Sequence, residues 1–332
     1  MKDRLGRKFR DLRISVTDRC NMRCVYCMPK EHFNAHYPFL GKDELLTFDE
    51  IHRLARVLTP MGVQKIRITG GEPLVRHHVE DLIARLSAIP DVELTMTTNG
   101  TLLSRKAQKL KDAGLDRVTV SLDSDDDATF RIMSDVNYPV ERVLSGIRAA
   151  EEVGLTPIKI NMVVKKGVNE KSILSMADRF RGTGHILRFI EYMDVGSTND
   201  WSLEKVVPAA EIIERVNRAF PIEPIEPNYT GEVARRWRYK DGLGEIGIIA
   251  SVTQPFCGDC SRARLSVDGK LYTCLFAVDG FDLRERIRKG ITDQEITEFV
   301  GEIWSHRADR YSEIRNPEIR GSRRIEMSYI GG

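Results

Sequence analysis

The sequence predicts an α/β fold: an incomplete (β/α)6 barrel of the TIM type, followed by a C-terminal α+β extension that carries its own cysteine group. Three observations carry the prediction. Short strand patterns alternate with helical patterns from residue 11 to about residue 220. Each strand alternates apolar with polar residues, and many of the polar ones are charged. After Pro221, Pro224 and Pro227 the pattern changes to hairpins built on Asp-Gly turns. The expected division is a barrel over residues 1–220 and a second region over 221–332.

The strands read LRISVT (12–17), KIRIT (65–69), VELTMT (92–97), RVTVSLD (117–123), IKINMVV (158–164) and HILRFIE (185–191). Helical patterns lie between them. TFDEIHRLARVL opens with a capping box, Thr47 and Glu50, repeats apolar residues at Ile51, Leu54 and Leu58, and is followed by Gly62 as a stop. VERVLSGIRAAEEVG and EKSILSMADRFRG have the same period. A helix after each strand means parallel strands with crossovers. Parallel strands covered on both faces read as continuous apolar runs, and these do not: Ile14 sits between Arg13 and Ser15, and Ile66 between Lys65 and Arg67. Helices cover the apolar face. The polar face looks into something wet or charged, which favours a barrel with a polar lumen over an open sheet and puts the site at the C-terminal strand ends. Beyond the barrel, FPIEPIEPNY (220–229) reads as a linker. Asp-Gly turns at 241–242 and 268–269 mark hairpins, and helical patterns follow near 282–289 and 293–306.

With 332 residues, 41% of them hydrophobic, and a net charge of +2, the chain shows no field that would mark a nucleic-acid or membrane binder. The N-terminal MKDRLGRKFRDL lacks the apolar stretch of a signal peptide, and no apolar run reaches membrane-spanning length. A cytoplasmic location is expected. In that reducing setting clustered cysteines are metal ligands or redox centres rather than disulfides.

The six cysteines form two groups of three. CNMRCVYC places Cys20, Cys24 and Cys27 in one short loop. Zinc would need a fourth ligand there, which His32 or His36 could supply, whereas an iron–sulfur cluster on three thiolates would keep one iron open to a small molecule. ITGGEP (68–73) closes the second strand. Its glycines allow a close backbone approach, and they equally suit a tight strand-to-helix turn. In CGDCSRARLSVDGKLYTC, Cys257, Cys260 and Cys274 have no histidine close in sequence, so a second open cluster is the parallel reading. Arg262 and Arg264 would share a face in an extended segment. With Arg13, Lys65, Arg67, Lys159 and Arg188 they supply cations on polar strand faces, asking either for a polyanion such as a triphosphate or for internal carboxylates such as Asp123 and Glu191.

CxxxCxxC with Tyr26 before its last cysteine, joined to GGEP at a strand end, resembles the radical S-adenosylmethionine superfamily. That resemblance implies a [4Fe–4S] cluster on Cys20, Cys24 and Cys27 whose open iron binds S-adenosylmethionine, and a 5′-deoxyadenosyl radical released by one-electron cleavage. Along nearly the whole chain, DLRISVTDRCNMRCVYC, KIRITGGEPLVR, TTNG, VSLDS, IKINMVV, RFIEYM, FCGDCSRARLSVDGKLYTC and the terminal Gly-Gly resemble the GTP 3′,8-cyclases of molybdenum cofactor biosynthesis. The family implies that Tyr26, Gly71, Ser121 and Met193 contact S-adenosylmethionine. It implies that Arg13, Arg67, Thr97, Lys159 and the segment Arg262, Ala263, Arg264 bind GTP, with Lys65 and Arg188 as further basic positions around the triphosphate. It implies a second [4Fe–4S] cluster on Cys257, Cys260 and Cys274 that binds the guanine ring. The radical would take hydrogen from C3′, C3′ would join C8, and reduction would give 3′,8-cyclo-7,8-dihydro-GTP. Gly331 and Gly332 would reach into the active site. A homodimer and a flavodoxin-like electron donor are family expectations.

Overall fold

The computed structural model describes residues 1–315 and 324–331. Six parallel strands neighbour one another in chain order: β1 (Asp11–Ser15), β2 (Lys65–Thr69), β3 (Glu93–Thr98), β4 (Arg117–Ser121), β5 (Lys159–Val164) and β6 (Ile186–Glu191). Their connections carry α1 (Phe48–Leu58), α2 (Val79–Ser87), α3 (Leu103–Asp112), α4 (Asp127–Ser134), α5 (Glu141–Glu152) and α6 (Ile173–Phe180), and α7 (Ala209–Ala219) follows β6. Sequential order with a helix in every connection is the topology that rolls a sheet toward a barrel.

Local chemistry explains the elements. Thr47 accepts the Glu50 amide at 3.1 Å while the Glu50 carboxylate accepts the Thr47 amide at 2.8 Å, so the expected capping box starts α1. Leu12, Ile14, Ile66, Ile68, Ile160 and Phe189 are fully buried in one core beneath the helices. Alternation then sends Arg13, Arg67, Asn161 and Arg188 to the opposite face, into the lumen.

The chain after Ala219 departs from expectation in two ways. The Pro-rich stretch read as a linker contains β7 (Ile222–Ile225), paired antiparallel with β8 (Arg235–Tyr239) at one end of the sheet. Pro224 is tolerated because an edge strand leaves one side of its backbone unpaired. The two hairpins also do not stand apart from the barrel. β9 (Glu245–Ile249) turns back from β8 and pairs parallel with β6. β10 (Arg262–Leu265) pairs parallel with β1, then leads to β11 (Lys270–Tyr272) and β12 (Phe281–Asp282). The result is one twelve-stranded sheet, ordered β12-β11-β10-β1-β2-β3-β4-β5-β6-β9-β8-β7. Both open edges of the six-stranded barrel are thereby covered by later chain. α8 (Arg284–Arg288), α9 (Asp293–Ser305) and the short α10 (Met327–Ile330) complete the described elements. Among the described residues no helix is long and apolar enough to cross a membrane.

Candidate active site

The lumen encloses a cavity of about 320 Å³ lined by all six cysteines. Strand direction fixes where each group sits. The first triad follows β1, so it lies at the C-terminal end of the barrel. The second precedes β10 and follows β11, and β10 runs parallel to β1 with Asp11 beside Arg262. It therefore lies at the opposite end. Arg13 pairs in register with Arg67 on one side and Arg264 on the other, which places cations between the two triads.

The first triad is built against the GGEP turn. Gly71 donates to the Thr17 carbonyl at 2.7 Å and Glu72 to the Arg19 carbonyl at 2.9 Å. A Cβ at Gly70 or Gly71 would overlap those same carbonyls, so both glycines are required by the approach of the cysteine loop's backbone. Glu72 is buried, and burial raises its carboxyl to about 7 despite accepting from the Asn99 amide (2.6 Å), the Thr98 hydroxyl (2.8 Å) and the Leu74 amide (2.9 Å). Asn99 in turn reaches the Cys20 Sγ at 3.8 Å and the Asn21 side chain at 2.8 Å. Tyr26 donates to Asp123 at 2.9 Å, and Asp123 is oriented by the Val163 amide at 2.9 Å. Burial raises Asp123 to about 6 and Cys20 to about 12. Tyr26, Gly71, Ser121 and Met193 all line this cavity.

The second triad has a different electrostatic setting. Burial alone would raise the Cys260 thiol, but Arg262 and Arg307 outweigh it and bring it down to about 6. Burial holds Cys274 at about 11. Among the described residues no three of His, Cys, Asp or Glu converge so as to hold a single metal ion, so neither His32 nor His36 completes a zinc site with the first triad. Three partly buried thiols lining one end of a shared cavity suit a multi-iron cluster, in which each of three irons takes one thiolate. The residues present fit that group at both ends of the chamber.

Between the triads, Lys65 bonds Glu93 at 2.8 Å, and Glu93 also bonds Arg117. The other six cations behave differently. Arg13, Arg67, Lys159, Arg188, Arg262 and Arg264 all line the cavity, and none makes an ion pair with a carboxylate among the described residues. Asp123 and Glu191, the anticipated counter-charges, are spent elsewhere: Glu191 accepts the Ala209, Val252 and Thr253 amides. Arg67 is held by the hydroxyls of Thr97 and Thr119, each at 3.0 Å. Burial, then the field of Arg264, Arg67 and Arg262, presses Arg13 downward. Burial with Arg188 and its neighbours brings Lys159 down to about 7, and burial brings Arg188 to about 9. Cations that are buried together, and depress one another on top of the cost of burial, suit an anion.

Two expected contacts fall outside the cavity lining. Ala263 is fully buried with its side chain in the core, because it alternates with Arg262 and Arg264. Gly331 has a left-handed φ of 78°, and its carbonyl accepts from the Arg264 guanidinium. The tail is pinned just before it: Glu326 accepts the Ser197 amide at 3.0 Å and the Thr198 hydroxyl at 3.1 Å. Gly332 lies outside the described residues. Tyr229 was not legible in advance. It lines the chamber beneath Arg10 and Lys65, 3.9 Å and 5.2 Å from its ring centre, and no local pattern marks it.

A profile of the radical SAM superfamily matches residues 14–180, and one described as Molybdenum Cofactor Synthesis C matches residues 185–313. Fold and site together define a radical S-adenosylmethionine enzyme. Streptococcus suis SuiB bound to S-adenosylmethionine shares the fold at a TM-score of 0.52, with 20% identity over 64% of this chain and 47% of that one. Methylornithine synthase (PylB) does so at 0.50, with 16% identity over 65% and 63%. Much nearer relatives align with the whole chain. The GTP 3′,8-cyclase of Acidothermus cellulolyticus is 52% identical with 99% of its length covered, and those of Xanthomonas campestris and Staphylococcus aureus are 50% and 49% identical with 97% and 99% covered. The chain belongs to the GTP 3′,8-cyclase family.

Proposed function

We propose that the chain converts GTP to 3′,8-cyclo-7,8-dihydro-GTP in molybdenum cofactor biosynthesis, with residues 1–220 as the radical-generating barrel and 221–332 as the region of the second cluster. The observation that carries this reading is the set of six cations without carboxylate partners among the described residues, strung between two cysteine triads in one chamber. Cys20, Cys24 and Cys27 would hold a [4Fe–4S] cluster, and Cys257, Cys260 and Cys274 a second. When bound, the first cluster and S-adenosylmethionine supply the 5′-deoxyadenosyl radical that removes the C3′ hydrogen of GTP.

The chain's own residues bind, orient and exclude water. Tyr26, Gly71, Ser121 and Met193 form the S-adenosylmethionine side of the chamber. Arg13, Arg67, Lys159, Arg188, Arg262 and Arg264 neutralise the triphosphate, with Thr97 orienting Arg67 and Lys65 contributing through its shared pair with Glu93. Arg13 and Arg188 lie nearest the reacting part of the substrate in this reading. The segment Arg262, Ala263, Arg264 belongs to the GTP-binding set in this reading, and Gly331, bonded to Arg264, belongs to the catalytic set with Gly332. Holding the ribose against one triad and the base against the other limits the substrate to a reactive conformer, which is the geometric share of catalysis. A homodimer and a one-electron donor of the flavodoxin type belong to the same proposal.

The test is anaerobic. The protein is reconstituted with iron and sulfide, reduced, and given S-adenosylmethionine with each nucleoside triphosphate in turn. GTP alone is expected to stimulate 5′-deoxyadenosine formation and to yield a GTP-derived product. Cleavage indifferent to every nucleotide would overturn the substrate assignment, and zinc without acid-labile sulfide would overturn the cluster assignment.

A further inference from the structure

The N-terminal ten residues and the segment after α9 meet behind the second triad. Asp3 accepts from Arg7 Nε at 2.5 Å and from Arg307 Nη1 at 3.2 Å, and none of these side chains is more than 1% exposed. Arg7 Nη1 donates to the carbonyls of Cys257 (2.8 Å) and Asp309 (2.7 Å). Arg307 Nη1 donates to the Cys260 carbonyl at 2.6 Å, and its Nε donates to the carbonyl of Thr273, next to Cys274, at 3.0 Å. Its remaining nitrogen, Nη2, donates to the Cys260 Sγ at 3.3 Å. One guanidinium thus ties both cysteine-bearing segments together and touches a thiol. Trp304 packs against it, 4.6 Å from ring centre to guanidinium, and donates to the Arg7 carbonyl at 3.2 Å.

The wholly buried trio of Asp3, Arg7 and Arg307 carries a net positive charge; Asp309, about a third exposed and 3.4 Å from Arg307 Nε, offsets it from the solvent side. The adjoining three thiolates with a [4Fe–4S] core carry net negative charge, which grows on reduction. Positive charge and N–H donors at cluster sulfur favour the more negative, reduced form.

We infer that Arg307, seated by Asp3, is a positioning residue for the second cluster: it fixes the two ligand-bearing segments and raises the cluster's reduction potential. The inference rests on reading Cys257, Cys260 and Cys274 as a cluster site. It makes the first residues of the chain part of a site at its far end.

The experiment uses the full chain with Cys20, Cys24 and Cys27 changed to Ala, so that only the second cluster forms. This background protein is expected to hold about four irons per chain with matching sulfide after reconstitution. If it holds none, the two-cluster reading itself fails, and the inference falls with it. With the cluster present, an EPR-monitored redox titration compares variants. Arg307→Gln is expected to lower occupancy and shift the potential negative. Arg307→Lys, which keeps the charge but loses the fork, is expected to retain the cluster with a smaller negative shift. Asp3→Asn, which removes the counter-charge, is expected to shift the potential positive. A merely structural role would lower occupancy in all three without opposite signs. Unchanged potentials, or Asp3→Asn and Arg307→Lys shifting the same way, would overturn the inference, and these two variants decide it even where Arg307→Gln fails to fold.

Discussion

Lys159 ties GTP binding to pH. An ordinary lysine stays charged through the neutral range, but burial, then Arg188, Arg117, Lys65 and Arg67, bring this one down to about 7. The free enzyme therefore holds it charged below about pH 7 and mostly neutral above. A triphosphate beside it favours the charged form, so binding above that point requires proton uptake. The sign follows: affinity is flat on the acid side and falls as pH rises. Each pH unit beyond the free-enzyme pKa costs about a factor of ten in apparent Kd, for as long as the bound lysine stays charged. Calorimetry of GTP binding to the reconstituted enzyme, at about pH 8 in buffers of different ionisation enthalpy, is expected to show close to one proton taken up. Lys159→Met is expected to bind more weakly at neutral pH, to flatten the profile and to abolish the uptake. Uptake that persists unchanged in Lys159→Met, or its absence from the unaltered protein, would refute the reasoning.

Arg67→Met removes charge-assisted donors worth about 1.5–3 kcal/mol each, so GTP affinity should fall about tenfold to a hundredfold while S-adenosylmethionine binding holds. Thr97→Val, which only loosens the guanidinium bonded at 3.0 Å, should cost less in the same titration. Gly331→Ala puts a Cβ into Thr69 at a left-handed φ, strain of about 1–3 kcal/mol. Its product formation should drop at unchanged iron content, and a C-terminal tag, which adds chain beyond the Gly-Gly pair, should impair turnover too; wild-type turnover by a tagged enzyme would sink the claim. Glu93→Gln leaves Lys65 and Arg117 without their shared carboxylate, itself about a third exposed. It should lower the anaerobic denaturation free energy by about 1–2 kcal/mol, read as a fall in the midpoint at constant slope.

The barrel was legible because period-2 alternation is a local signal. Ile14 between Arg13 and Ser15 states which face is which without reference to any distant residue. The same rule separates Ala263 from its flanking arginines, which a motif copied as a block hides. What could not be read was long-range. Pro224 reads as a breaker, and only the position of β7 at the end of the sheet makes it acceptable. That β9 and β10 would join β6 and β1 depends on which barrel edges stand open, and no hairpin pattern contains that. Asp3 and Arg307 look like ordinary surface charges, and their union across the whole chain exists only after folding. Glu72 stood in a recognised turn and Asn99 in a recognised motif, but their bond to each other and that of Asn99 toward Cys20 depend on how β2 and β3 end side by side.

The pairing of β10 with β1 has a consequence for how the molecule is made. The Ser261 hydroxyl bonds Asp11 across 250 residues of intervening chain. During synthesis β1 emerges long before its neighbour exists, so one edge of the barrel waits, unpaired, for most of translation. The first cysteine loop is synthesised early, and the second is braced only when the N-terminal segment meets the residues after α9. Assembly order therefore runs from the end of the chamber that holds Cys20, Cys24 and Cys27 toward the end that holds Cys257, Cys260 and Cys274.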